Sequence, residues 1–325
     1  MNALRHQFTA SVHQNIPLCR EHFKLVLRVR QFPPTEPGQF VQILCRDADE
    51  TPFVDHEREW ESARGSILRA QEGDESLALL RRPFSLAGRR ELAGATELDI
   101  IHRVVGVGTS WLAELKPSDS VDILGPLGNH FKLPLENQTA LLVAGGVGIP
   151  PMIYLAEKLK RRAIAFCGAT TLDLLPLLLN RQTISRIEGA IIPSFVAEEF
   201  ARHAIPSIIT TDDGSFGFRG FVTDALEQYL DSLPSPLGPC PSSLLIYTCG
   251  PEPMMKRVAH IAVQRGIECQ VAVERAMACG MGTCQSCCIR VRKPDPAQPP
   301  LVGSDWCYQL TCTDGPIFRA HELLW

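Results

Sequence analysis

Four cysteines fall within the ten residues CGMGTCQSCC, from Cys279 to Cys288. Cys279, Cys284 and Cys287 stand in a C-x4-C-x2-C spacing, the plant-type pattern of a [2Fe–2S] site, which needs a fourth thiolate from further along the chain. Cys288, Cys307 and Cys312 are the candidates. Neighbours in a tight loop project differently, which argues on geometry alone against Cys288 sharing a site with Cys287. Gly280 and Gly282 give such a loop the backbone freedom to turn N–H groups toward anionic sulfurs. Structural zinc is the alternative, but it would be expected to use two C-x2-C pairs, and only one is clear here. The spacing therefore favours the cluster. A one-electron centre needs an electron partner, and the rest of the chain offers sites for one.

The run LLVAGGVGIPP, Leu141 to Pro151, reads as a strand, a glycine turn (Gly145, Gly146, Gly148) and a helix opening on two prolines. Proline suits a first helical turn, and free N–H groups at a helix N-terminus attract phosphate. It is not a G-x-G-x-x-G fingerprint, and a purely structural turn is the competing reading. A second run, LLIYTCGPEP from Leu244 to Pro253, repeats the pattern with Cys249, Gly250 and Pro251 at its turn. Two such strand ends at one edge of a parallel sheet make a ligand crevice. Further upstream, Arg82 in RRPFS offers a fork suited to pyrophosphate, and Gly106, Gly108 and Thr109 precede a helix-like stretch. Taken alone, Arg82 reads more readily as an ordinary surface ion pair. Asp212 and Asp213 in TTDDGS either oppose a 2′-phosphate or cap a turn.

These residues need elements to hold them. From about Phe23 to Phe131, short apolar or alternating runs between turn signals (HFKLVLRVR, GQFVQILCR, ELDIIHRVV) predict a small antiparallel barrel. An Asp/Glu-rich interval from Arg46 to Ser76 interrupts the pattern as a surface excursion with some helical character and no assigned function. From Thr139 apolar runs alternate with helical ones, which predicts βαβ units and a doubly wound parallel sheet. With 325 residues and 45% hydrophobic content, the chain is long enough for two or three domains. A formal charge of −4 without a Lys/Arg cluster sets nucleic acid aside. The longest apolar run is broken by glycines and prolines, so no membrane span is expected. Twelve cysteines in a chain of this length, with no signal-like apolar run in MNALRHQFTASVHQ, predict a cytoplasmic protein with reduced thiols.

The ordered set RPFS, IHRVVGVGT, GPLGNHF, AGGVGIPP, TDDGSFGFRGFVTDAL, YTCGPEPMM, ERAMACGMGTCQSC and TCTDGPIF resembles the ferredoxin reductase superfamily. Within it, the set is closely similar to the electron-transfer subunits of class 1B dihydroorotate dehydrogenases, over nearly the whole chain. The resemblance implies an FAD-binding barrel over residues 1–135, an NAD-binding α/β domain over 136–273 and a [2Fe–2S] domain over 274–325. It implies that Arg82, Pro83, Phe84, Ser85, Ile101, His102, Arg103, Gly108 and Thr109 contact FAD. Gly145, Gly146, Gly148, Gly250 and Pro251 would serve the pyridine nucleotide, with Cys249 near the nicotinamide and flavin; its plainer reading is a buried small residue. The fourth cluster ligand would be Cys312, leaving Cys307 an extra thiol. Departures are Phe84 where many members carry tyrosine, the long acidic excursion, and the long interval from Cys287 to Cys312.

By the same resemblance, a separate FMN-containing catalytic subunit oxidises dihydroorotate to orotate in pyrimidine biosynthesis. Electrons pass through the cluster to FAD, and NAD+ accepts hydride, in a hetero-oligomer expected to be a heterotetramer. The alternative is a diaphorase subunit of a ferredoxin–NADP reductase, transhydrogenase or sulfhydrogenase type complex. In the bifurcating transhydrogenase relatives the first cluster ligand is an aspartate, whereas Cys279 supplies thiolate here, which favours the dihydroorotate system. A zinc-held nucleotide sensor without redox chemistry is the third possibility.

Overall fold

The computed structural model describes residues 6–47, 78, 80–180, 191–233, 241–292 and 305–325. Most of the acidic excursion therefore lies outside the described residues. The first unit is a closed antiparallel barrel of β1 (His6–Cys19), β2 (His22–Val29), β3 (Phe40–Ile43), β4 (Arg82–Leu92), β5 (Ala95–Arg103) and β6 (Ser120–Leu127), with α1 (Val107–Glu114) between the last two strands. The strand order is β1-β2-β5-β4-β3-β6, and β6 returns to pair with β1, which leaves no open sheet edge. Inward residues such as Leu25, Leu27, Val41, Ile43, Leu98, Ile100 and Ile123 fill the interior. Alternation fails at β3, where Phe40, Val41, Gln42 and Ile43 are all buried. Val41 and Ile43 face the barrel core, while Phe40 packs with Leu127 and the thiols Cys287 and Cys312. The outer face of β3 is thus covered by the cysteine-bearing segment.

The second unit follows the expected βα grammar. Its elements are β7 (Thr139–Gly145), α2 (Ile149–Leu159), β8 (Ala163–Ala169), α3 (Glu198–Ala201), β9 (Ser207–Thr211), β10 (Phe218–Arg219), α4 (Val222–Ser232), β11 (Leu244–Cys249), α5 (Glu252–Gln264) and β12 (Glu268–Ala272). Strand β7 is apolar almost throughout because helices cover both sheet faces. The sheet order is β10-β9-β8-β7-β11-β12, with the later strand Ile317–Arg319 beyond β12. The chain moves outward from β7 through β8, β9 and β10 and then returns to β7's other side with β11. The order therefore reverses between β7 and β11, where doubly wound sheets open a crevice at the carboxyl ends of their strands.

The C-terminal segment forms a two-stranded ladder, β13 (Cys288–Arg292) with β14 (Trp306–Leu310), and then β15 (Ile317–Arg319). Strand β15 runs antiparallel to β12 and extends the nucleotide sheet. Ile289 and Val291 on β13 pack with Phe318 and Leu323 into the same core as β11 and α5. No helix among the described residues is long and apolar enough to cross a membrane.

Candidate functional site

A cleft of about 1290 Å³ runs between barrel and sheet. Arg82, Pro83, Phe84 and Ser85 line it from β4, and Ile101, His102 and Arg103 line it from the end of β5. The β3–β4 ladder pairs Ile43 with Arg82, Gln42 with Pro83, Val41 with Phe84 and Phe40 with Ser85, which sets how these four residues face the cleft. Arg82 Nη1 donates to Leu80 O at 3.0 Å. His102 is 2% exposed, stacks on Phe23 at 5.9 Å and meets the edge of Phe84 at 6.1 Å. Burial lowers its pKa to about 4, so the ring is neutral near pH 7, and neither nitrogen has a partner among the described residues. Buried polar atoms left unmet by protein point to a ligand or water that meets them.

His22, which the sequence reading passed over as the start of a strand, lines the same cleft. Its Nδ1 lies 2.8 Å from Arg20 O, and a carbonyl only accepts, so Nδ1 carries the proton. Burial lowers its pKa, leaving Nε2 a neutral acceptor without a described partner. Its place opposite Arg103 in the β2–β5 ladder comes from strand register, which a strand pattern alone does not reveal.

Gly106, Gly108 and Thr109 reach the cleft at the start of α1. Thr109 Oγ1 accepts from the N–H groups of Val105 at 2.8 Å and Gly106 at 3.1 Å, so its hydroxyl shapes the turn. Helix α2 also begins on the cleft, and neither helix carries an acid in its first turn to compete with an anion. The two glycine turns meet: Cys249 pairs with Ala144 across β11 and β7, and a Cβ on Gly148 would stand 2.2 Å from Cys249 O. Gly145, Gly146, Gly148, Cys249, Gly250 and Pro251 all line the cleft. Burial pushes the Cys249 thiol up to about 12, so it stays protonated although the residue keeps some accessible surface. Asp213 accepts from Ser215 N at 2.9 Å and caps its turn, whereas Asp212 faces the cleft.

The four thiols expected to hold a cluster lie together beside this cleft. They form two contacting pairs, Cys279 with Cys284 and Cys287 with Cys312. Cys279 Sγ accepts from the N–H groups of Met281 and Cys284, each at 3.4 Å. Thr311 ties the distant segment down, its N and Oγ1 donating to Cys287 O at 3.1 and 2.9 Å. The Ser286 hydroxyl holds the exposed Cys284 thiol down to about 6, and burial pushes Cys312 up to about 12. Cys288 is exposed on β13, and Cys307 packs into the nucleotide-sheet core. Among the described residues no group of three or more His, Cys, Asp or Glu meets the geometry of a metal-ion site. Two pairs of thiols, one pair per iron, suit a two-iron centre of four thiolates. The thiols share a wall with the cleft, because Phe40 and Met277 line it and also pack with Cys287 and Cys312.

A family model described as the iron–sulfur cluster binding domain of dihydroorotate dehydrogenase B matches residues 274–324. The chain is 28% identical over 321 residues to the dihydroorotate dehydrogenase B (NAD(+)) electron transfer subunit of Caldanaerobacter subterraneus subsp. tengcongensis, covering 99% of this chain and 100% of that protein. It is 36% identical over 250 residues to the protein of the same name from Geobacillus kaustophilus, covering 76% and 80% respectively. Among solved structures, it aligns with the NADH-dependent reduced ferredoxin–NADP oxidoreductase studied for flavin-based electron bifurcation. That match has a TM-score of 0.65 and 25% identity over 97% of this chain and 90% of the other.

Proposed function

Because the chain belongs to the family of dihydroorotate dehydrogenase B electron transfer subunits, we propose that its thiol loop, barrel face and sheet crevice form one electron route. The route joins a separate dihydroorotate-oxidising subunit to NAD+. The chain is an oxidoreductase subunit of the FAD, [2Fe–2S] and NAD type. The observation that carries the reading is the shared wall of Phe40 and Met277 between the thiols and the cleft. When bound, the flavin and the cluster interchange hydride and single-electron chemistry.

In this reading Arg82 and the N-terminus of α1 neutralise the FAD pyrophosphate, and Pro83, Phe84 and Ser85 shape the flavin face. Ile101, His102, Arg103, Gly108 and Thr109 complete that side. His22 and His102, both neutral, offer hydrogen bonds without adding charge. On the sheet side, Gly145, Gly146, Gly148, Gly250 and Pro251 form the nicotinamide crevice, and Cys249 presents a protonated thiol there. The Asp212 carboxylate disfavours a 2′-phosphate, which supports NAD over NADP. Cys279, Cys284, Cys287 and Cys312 hold the cluster behind the wall that Phe40 and Met277 form on the cleft. The partner is an FMN-containing dihydroorotate dehydrogenase subunit, in a cytoplasmic heterotetramer.

The test is purification of the untagged complex from native extract, followed by a dihydroorotate-dependent NAD+ reduction assay. The expected result is a co-purifying FMN protein and activity that requires both chains. A partner without FMN, with no dihydroorotate oxidation, would overturn the reading and favour a diaphorase of another complex.

A further inference from the structure

Strand β3 turns two residues outward, and only one of them is explained by packing. Phe40 is met by Leu127, Cys287 and Cys312. Gln42 is 0% exposed, and neither its Nε2 nor its Oε1 has a hydrogen-bond partner among the described residues. A buried polar group left without a partner is destabilising, and a carboxamide has two such ends. Native interiors retain such a group where something beyond the protein's own atoms satisfies it.

The cysteine loop lies directly against this amide. A Cβ on Gly280, the residue after Cys279, would stand 2.6 Å from Gln42 Oε1 and 3.0 Å from Nε2. Gly280 also has φ +69°, so its glycine serves both the turn and the approach of Gln42. No described protein group dictates which end of the carboxamide faces the loop. Thiolate and sulfide only accept, so a cluster there would select Nε2. Across the β3–β4 ladder Gln42 is paired with Pro83, which lines the cleft. One buried side chain therefore stands between the thiol loop and the strand carrying the flavin-site residues.

We propose that Gln42 donates an Nε2–H hydrogen bond to a sulfur of the cluster, raising its reduction potential and fixing the loop against the barrel. The proposal rests on the assignment of the cluster to Cys279, Cys284, Cys287 and Cys312. Reduction adds negative charge to the centre, and a donor aimed at sulfur stabilises the more negative state. Gln42 acts through the cluster and is a positioning residue.

The test uses the purified complex with Gln42→Met and Gln42→Leu, each lacking the donor while keeping comparable volume. Iron and FAD content should match wild type. The cluster's one-electron equilibrium, followed by EPR in a redox titration, should shift about tenfold toward the oxidised form, about 59 mV lower for one electron. The FAD potential should stay put. An unchanged cluster potential with iron retained overturns the proposal, as does an equal shift of both centres. If both variants lose iron, the wild-type protein decides, with glutamine side-chain nitrogen isotopically labelled. Hyperfine coupling from that nitrogen to the reduced cluster supports the bond, and its absence overturns it. Failure of the cluster assignment itself would show separately, as a wild-type protein without the EPR signal or a Cys279→Ser variant that keeps it.

Discussion

Arg82 illustrates how one residue's reading depends on its surroundings. In sequence its guanidinium, taken alone, read as a surface charge more than as a pyrophosphate fork; in the structure it lines the cleft, with one nitrogen tied to Leu80 O. Losing a charge-assisted contact costs about 1.5–3 kcal/mol, or roughly 10- to 150-fold in affinity. Arg82→Ala should therefore shed FAD on gel filtration, read as the flavin-to-protein absorbance ratio; full retention would leave Arg82 a surface charge. The fourth thiolate is a second case at this scale. Cys312 contacts Cys287, while Cys307 packs into the sheet core and Cys288 is exposed. Cys312→Ser should abolish the reduced-cluster EPR signal and lower iron content. Cys307→Ser and Cys288→Ser should keep both, and the reverse pattern would reassign the ligand.

At the scale of elements, the two glycine turns behave as one unit. A Cβ at Gly148 meets Cys249 backbone at 2.2 Å, and backbone cannot swing aside as a flexible side chain can. Gly148→Ala should force β7 and β11 turns apart, costing about 1–3 kcal/mol as overpacking does. Chemical denaturation and a raised KM for NADH would register it, and unchanged values for both would show that the turns relax freely. The β2–β5 corner makes a pH prediction. The His102 pKa is lowered by burial from 6.5 to about 4, so between those values the unfolded chain binds more protons than the folded one. Stability from this ring is fully present above about pH 6.5 and is lost as the pH falls toward 4. Thermal unfolding of wild type should thus fall relative to His102→Phe across that window, and parallel curves would refute the assignment.

Across the whole molecule, the C-terminal segment is fastened to both larger units. Strand β15 extends the nucleotide sheet, and Asn129, just past β6 of the barrel, holds the turn after Cys312. Its Nδ2 donates to Asp314 O at 2.7 Å and Ile317 O at 2.8 Å, and its Oδ1 accepts from Ile317 N at 2.8 Å. Removing that side chain leaves three backbone groups to find other partners, at about 1–3 kcal/mol for each left buried and unmet. Asn129→Ala should speed chelator extraction of iron while FAD stays bound; equal extraction rates would show that Cys312 is positioned without it.

The sequence by itself determined the element types and the kinds of chemistry. Apolar period and glycine turns mark a barrel followed by βα units because those signals are local, and C-x4-C-x2-C is local in the same sense. The set of motifs in order was legible as a family likeness, including the segment around Cys312. What only the tertiary structure decided lies between segments distant in the chain. The choice of Asp212 over Asp213 as the cleft-facing acid, the burial of His22 and the grip of Asn129 on Ile317 all follow from strand register and domain contact. So does the outward face of β3: FVQI reads as an ordinary strand, and only the covering cysteine loop makes Gln42 a fully buried amide. Pattern fixes which way a side chain turns relative to its own strand, but what it meets there depends on chain that packs against it from far away.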